Sequence, residues 1–292
     1  MIRPQTDLMD IETPVAAPYG ILSGATSVKT VDSDWWISGF SHEVVDSNTS
    51  AELARILGGT EVSEILQSLG GHSFLSYQPF LIRTRSKAST FGNNLDAFKA
   101  SAKQNLEIIT QKAVETEFWS GDISKEVIAD HDSNLPATNR YLASTLATDV
   151  TPTANTGVKP RHGLALLEEA ITNSTFGYQG LIHAPRAVAS ALKVKGRDGV
   201  LRTNLDTPVV AGTGYSRLGP DGTSAPKGMY WMYATGPVTV ILGDDVVIPE
   251  QKAQSVNVRD NTIEYIAELP AAVVFSTQEV FAVLVDLSLD YQ

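Results

Sequence analysis

In the stretch NNLDAFKASAKQNLEIITQKAVETEFWSG, apolar residues recur at spacings of three and four: Leu95, Phe98, Ala102, Leu106, Ile109 and Ala113. Lys99, Lys103, Glu107 and Gln111 fall off that stripe, so the period predicts one amphipathic helix over 93–120. Asn93 or Asn94 can cap its start, Asp96 suits its first turn, and Ser120-Gly121 ends it. At about 1.5 Å per residue it would run roughly 40 Å, which makes it a spine for the rest of the chain.

Weaker patterns flank the spine. Ala51, Leu53, Ala54, Ile56 and Leu57, then Val62, Ile65, Leu66 and Leu69, predict short helical turns broken by Gly58-Gly59 and closed by Gly70-Gly71. HSFLSYQPFLIRTRS follows with strand character. After the spine, RHGLALLEEAI and RAVASALKVK predict helices around a short buried strand, GLIHAP, giving a small mixed α/β unit. MYWMYA and VTVILG predict strands. NTIEYIAEL and VFAVLVDLSLD alternate with period two, placing Phe281, Val283, Val285, Leu287 and Leu289 on one face and Asp286, Ser288 and Asp290 on the other. The first 47 residues carry Pro4, Pro14, Pro18 and the pair Trp35-Trp36, and read as an extended arm. Two adjacent tryptophans in an arm need burial, on their own chain or on a neighbour.

The segment AGTGYSRLGPDGTSAPKG, residues 211–228, raises the question of a phosphate cradle. Gly212 and Gly214 begin a G-x-G-x-x-G pattern, but Arg217 occupies the third glycine's place. Gly214 and Gly219 have P-loop spacing, but Pro220 stands where the lysine belongs, and a strand follows rather than a helix. A long loop between strands is the simpler reading, and long ordered loops in compact domains tend to be functional.

Composition narrows the rest. The chain has 292 residues, 42% of them hydrophobic, enough for a real core in one elaborated domain or two modest ones. With 22 basic and 33 acidic residues the net charge is −11, so the overall field repels a polyanion. The densest basic cluster, Arg83, Arg85 and Lys87, lies on one side of a strand and lacks the interleaved aromatics of a nucleic-acid site. There is no cysteine, which excludes disulfides, thiolate zinc sites and cysteine nucleophiles. The amino terminus has no apolar signal-peptide core, and no stretch has the length and hydrophobicity of a membrane span.

Candidate chemistry is sparse. HEVVD at 42–46 misses the H-E-x-x-H metalloprotease helix by placing Asp46 at the second histidine. His72, His131, His162 and His183 sit in unrelated segments, no G-x-S-x-G elbow occurs, and Glu168-Glu169 point apart on a helix. No enzyme activity and no cofactor are expected.

The order of pieces, together with YGILSGA (19–25), DWWISGF, AVETEFWSG (113–121), GLIHAPRAVA (180–189) and TPVVAGTGYSRLGPDGTSAPKGMYWMYATGPV (207–238), resembles the major capsid proteins of tailed bacteriophages with the Hong Kong 97 fold. The resemblance is narrower to those of phages infecting actinobacteria. It implies an α+β chain divided into an N-terminal arm (1–47), an extended loop and returning strand (48–92), the spine helix of a peripheral domain (93–120), an axial domain (121–258) and terminal strands of the peripheral domain (259–292). It implies pentamers and hexamers of this chain that form an icosahedral head, assembled in the bacterial cytoplasm. Portal, scaffold or decoration proteins would be partners, and double-stranded DNA would be enclosed without sequence-specific binding. No long charged leader of the fused-scaffold kind is expected. Trp35, Trp36, Gly212, Gly214, Gly219 and Gly222 become candidates for subunit contact, the glycines by allowing close backbone approach near a ring axis. Some members of the family join subunits by an isopeptide bond between a lysine and an asparagine, promoted by a glutamate seven residues beyond the asparagine. Asn261 and Glu268 have that spacing, and Lys87 is the one lysine between 45 and 95. The alternatives are an encapsulin-type nanocompartment shell, disfavoured by YGILSGA and the glycine-rich loop, and a soluble α/β enzyme with that loop as a lid.

Overall fold

In a computed structural model of the chain, the structure describes residues 14–31, 40–45, 50–57, 60–68, 72–77, 79–89, 95–123, 141–174, 179–248, 256–257, 261–276 and 279–288. The first strand is β1 (Ser27–Thr30). Then come β2 (Phe40–Val45), β3 (Ser50–Leu57), β4 (Thr60–Ser68), β5 (His72–Tyr77), β6 (Phe80–Ser89) and the helix α1 (Leu95–Ser120). The middle of the chain holds β7 (Thr148–Asp149), α2 (Pro160–Ser174), β8 (Leu181–Pro185), α3 (Arg186–Ala191), β9 (Lys195–Arg197), β10 (Val200–Arg202) and β11 (Pro208–Gly212). Last are β12 (Met229–Thr235), β13 (Val238–Leu242), β14 (Val246–Ile248), β15 (Val256–Asn257), β16 (Thr262–Phe275) and β17 (Val280–Asp286).

Two sheets organise these elements. The six-stranded sheet runs β1-β13-β16-β14, with β15 and β6 also paired to the long β16. The seven-stranded sheet runs β7-β17-β12-β8-β11-β10-β9. α2 and α3 cover one face of the second sheet through Leu164, Leu167, Val188, Met232, Val283 and Val285. Its other face, with Val210, Tyr233 and Ala282, meets Phe118 and Trp119 at the end of α1. The start of the described part of α1 instead lies on β6 and β16, where the Thr84 hydroxyl donates to the Ala102 carbonyl at 2.8 Å. The spine thus spans from one sheet to the other, and its 26 residues cover about 39 Å.

That span corrects the expected stripe. Ala102 and Leu106 are buried as expected, but Ile109 is 42% exposed while Gln111, placed off the stripe, is buried together with Glu115 and Glu117. A helix wedged between two sheets is covered on more than one face in its second half, so a single apolar stripe underdescribes it. Gly121 ends it at φ +61, with its N–H on the Glu117 carbonyl at 2.8 Å. The freed carbonyls of Phe118 and Trp119 accept from the N–H groups of Leu142 and Ala143 at 3.0 and 2.9 Å.

Other expectations change too. Residues 50–57 and 60–68 form the antiparallel pair β3 and β4, not helical turns, with Leu57 opposite Thr60. His42 and Glu43 lie on strand β2, which removes the helix that a metalloprotease motif needs. β17 is buried on both faces and ends at Asp286, whose carboxylate accepts the Ser288 N–H at 2.9 Å, while Leu289 and Asp290 lie outside the described residues. β13 and β14, in the expected axial segment, pair with β16, whereas β17, in the expected peripheral segment, pairs with β12.

Candidate functional site

The glycine-rich loop does cradle an anion, and the anion is the chain's own. The carboxylate of Glu115, fully buried on α1, accepts the N–H of Thr213 at 2.6 Å and that of Gly214 at 2.8 Å on one oxygen, which also takes the Thr213 hydroxyl at 3.0 Å. Successive backbone N–H groups converging on one oxygen make a small anion nest. The other oxygen accepts the Ile21 N–H at 3.0 Å. Two segments remote in sequence therefore meet on one carboxylate of α1. Among the described residues its partners are N–H and O–H groups rather than cations, the kind of satisfaction a buried charge requires.

The rest of the loop is fastened in the same way. Leu218 offers its carbonyl to the Trp119 indole N–H and the Tyr233 hydroxyl, each at 3.2 Å. Arg217 stacks over Tyr230 at 5.1 Å and donates to the carbonyls of Ala225, at 3.0 Å, and Pro226. Residues 217–225 fold back on themselves, with Gly219 N–H on the Thr223 carbonyl and Ala225 N–H on the Arg217 carbonyl, both at 2.8 Å. At the exposed tip the Asp221 carboxylate takes the Thr223 N–H at 2.9 Å and its hydroxyl at 2.8 Å, and the backbone bond to Thr223 holds its pKa below the usual carboxylate value.

Below the loop, His183 on β8 is fully buried. Its Nε2 lies 2.9 Å from the Thr235 hydroxyl and its Nδ1 3.0 Å from the Tyr215 hydroxyl. Thr235 donates its own proton to the Gly236 carbonyl at 2.8 Å, so Nε2 carries the imidazole proton and Nδ1 accepts from Tyr215. Burial lowers the His183 pKa from 6.5 to about 3 and raises that of Tyr215 well above its ordinary value. Phe118 meets the imidazole edge-on at 5.0 Å.

The predicted site residues are spread. A Cβ on Gly212 would overlap the Tyr215 ring, one on Gly214 the Lys112 carbonyl and Glu115, and one on Gly219 the Trp231 indole. These three glycines serve close approach within the chain, while Gly222, at φ +74, has open space around it. Trp35 and Trp36 lie outside the described residues. Lys87 is exposed on β6 opposite Glu264, Asn261 precedes β16 at φ +50, and Glu268 takes the Arg83 Nε at 2.5 Å. At about 3.3 Å per strand residue, Asn261 and Glu268 stand roughly 20 Å apart, so one copy does not gather lysine, asparagine and glutamate together. Glu115 and His183 are the residues that sequence reasoning missed. A signal was present in Gln111 and Glu115, polar residues one helical turn apart that lead into Phe118 and Trp119. Among the described residues no group of His, Asp and Glu is placed to hold a metal, and no helix is long and apolar enough to cross a membrane.

The fold is similar to those of solved capsid and phage structures. The capsid of the native GTA particle superposes with a TM-score of 0.55 at 13% identity, over 98% of this chain and 96% of that one. A structure from Microbacterium phage Oxtober96 gives 0.53 at 11% identity over 97% and 95%, and one from Mycobacterium phage Cain gives 0.51 at 11% over 93% and 91%. The chain has the fold of a bacteriophage capsid protein, as the resemblance in its sequence implied. No protein-family model and no curated protein matches it.

Proposed function

We propose that the chain is the major capsid protein of a tailed bacteriophage, of the Hong Kong 97 fold, and that it assembles as pentamers and hexamers into an icosahedral head around double-stranded DNA. The match to the GTA capsid over nearly all of both chains carries the reading. The topology adds a physical reason for assembly. β2 pairs only with β5 and β3 only with β4 among the described residues, giving two-stranded ribbons. Such ribbons are marginal alone in water and gain stability by packing on another surface. Ring symmetry repeats each weak contact and closes the shell. The net charge of −11 leaves the inner contents repelled rather than gripped.

In this reading residues 1–47 are the arm, 48–92 the extended loop, and the exposed turn at Gly222 is the part of the glycine-rich loop free to meet neighbouring copies. Portal, scaffold or decoration proteins complete the particle, which forms in the host cytoplasm. A covalent link would draw Lys87, Asn261 and Glu268 from neighbouring copies: the lysine amine attacks the asparagine side-chain carbonyl, ammonia leaves, and the glutamate takes the lysine's proton. Its signature is a ladder of covalent oligomers on a denaturing gel of mature particles, absent in Lys87→Arg.

The decisive experiment is expression of the chain alone, sizing, and negative-stain electron microscopy of the largest fraction. Closed shells, tubes or capsomer rings are expected. A small oligomer that stays small with its scaffold present overturns the reading.

A further inference from the structure

Residues 17–21 lie as a strap between α1, α3 and β11. Gln111 donates its Nε2 to the Ala17 carbonyl at 2.8 Å, Arg186 donates to the Pro18 carbonyl at 2.9 Å, the Ala211 N–H reaches the Tyr19 carbonyl at 2.8 Å, and the Ile21 N–H reaches Glu115 at 3.0 Å. The same groups hold the start of the glycine-rich loop. Arg186 also donates to the Ala211 carbonyl at 3.4 Å, and Glu115 holds Thr213 and Gly214. We propose that residues 17–21 and 211–214 form one cooperative unit clasped to α1 by the Glu115 carboxylate, so that strap and loop open together and neither opens alone. The inference concerns the folded chain and does not depend on the capsid reading.

The reason is the energy of the half-open state. Lifting the strap alone strips one oxygen of a buried carboxylate of its donor and leaves the Ala211 N–H without its carbonyl. A buried charge or N–H without a partner is costly unless water enters. The cover of this carboxylate is shared, the strap closing over one oxygen and the loop holding the other. Gly20 and Gly214 close on Glu115 from the two segments, and a Cβ on either would overlap its side chain. Tyr19 meanwhile sits at φ +65, a left-handed conformation unfavourable for a residue with a Cβ, and opening releases it. The closed and fully open states are therefore both lower in free energy than a state with one segment free. One carboxylate decides whether arm and loop leave the spine.

Native-state hydrogen exchange on the full-length, unassembled chain tests this. The amides of Ile21, Thr213 and Gly214 are followed, with the β12–β17 ladder as the reference for intact folding. Gln111→Ala removes a bond to the strap only. It is expected to accelerate exchange about fivefold at all three amides, the equivalent of one lost hydrogen bond. Glu115→Gln is expected to accelerate all three by about tenfold or more, because an amide group replaces one acceptor oxygen with a donor. Acceleration at Ile21 alone in Gln111→Ala, or no acceleration at any of the three in either variant, overturns the proposal.

Discussion

His183 makes the chain acid-sensitive by an amount that follows from its surroundings. Both ring nitrogens are taken by neutral hydroxyls, Tyr215 and Thr235, and the ring is fully buried, so a proton on Nδ1 would put an unpaired charge in the core and take the place of the Tyr215 proton. The folded pKa is about 3 against 6.5 for the free group. The sign follows from proton uptake. Below about pH 6.5 the unfolded chain binds a proton at this residue and the folded chain does not, so stability falls with pH until the folded value is reached. Linkage gives a loss of about 2 to 3 kcal/mol between about pH 6 and 4 from this side chain alone. The assay is urea unfolding of the unassembled subunit across that range, comparing the native chain with His183→Gln. Carboxylates titrate in both proteins and cancel in the difference. The slope of stability against pH should be shallower in the variant by about 1.4 kcal/mol per pH unit near about pH 5. Parallel slopes would refute the buried neutral imidazole, whatever the variant's stability at neutral pH.

Substitutions in the loop separate close approach from backbone conformation. Gly214→Ala should cost about 3 kcal/mol or more, since its Cβ meets the Lys112 backbone, whereas Gly222→Ala should cost only about 1 kcal/mol for its positive φ; urea midpoints in the reverse order would reject the assignment. Trp119→Phe should lose about 2 to 3 kcal/mol, combining its hydrogen bond to Leu218 with the volume left in the core, and a change under about 0.5 kcal/mol in chemical unfolding would contradict that. If the proposed rings bring the loop tips together, Asp221→Asn should increase ring formation at low salt, because it removes like charges at the contact. Sizing columns run at low and high salt check this, and equal assembly of both proteins at low salt would place the tip away from the ring axis.

What was legible in the sequence was local. α1 could be read because its period persists over 26 residues and a glycine ends it. The pair β3 and β4 was misread because apolar spacings of three and four over so short a run also occur in a strand. The loop's glycines were visible, but their partner was not. Glu115 lies 98 residues before Thr213, and no pattern in either segment points to the other. The same holds for His183, whose hydroxyl partners are 32 and 52 residues away. Sheet membership of the last strands was likewise a long-range matter. β16 and β17 are neighbours in sequence yet belong to different sheets.

These placements shift where the energy of assembly should reside. Nearly every polar group that fixes the glycine-rich loop is satisfied by its own chain: Glu115 holds its start, Trp119 and Tyr233 hold Leu218, and Arg217 closes its return. A segment so satisfied gains little when a second copy arrives, beyond contact at its tip. The two ribbons are in the opposite position. Each is a pair of strands without a third among the described residues, so each leaves backbone groups on its outer edges that a neighbour could cover. In the proposed assembly the loop, locked to spine and strap, sets the geometry at which copies meet, and the ribbons supply the attraction between them.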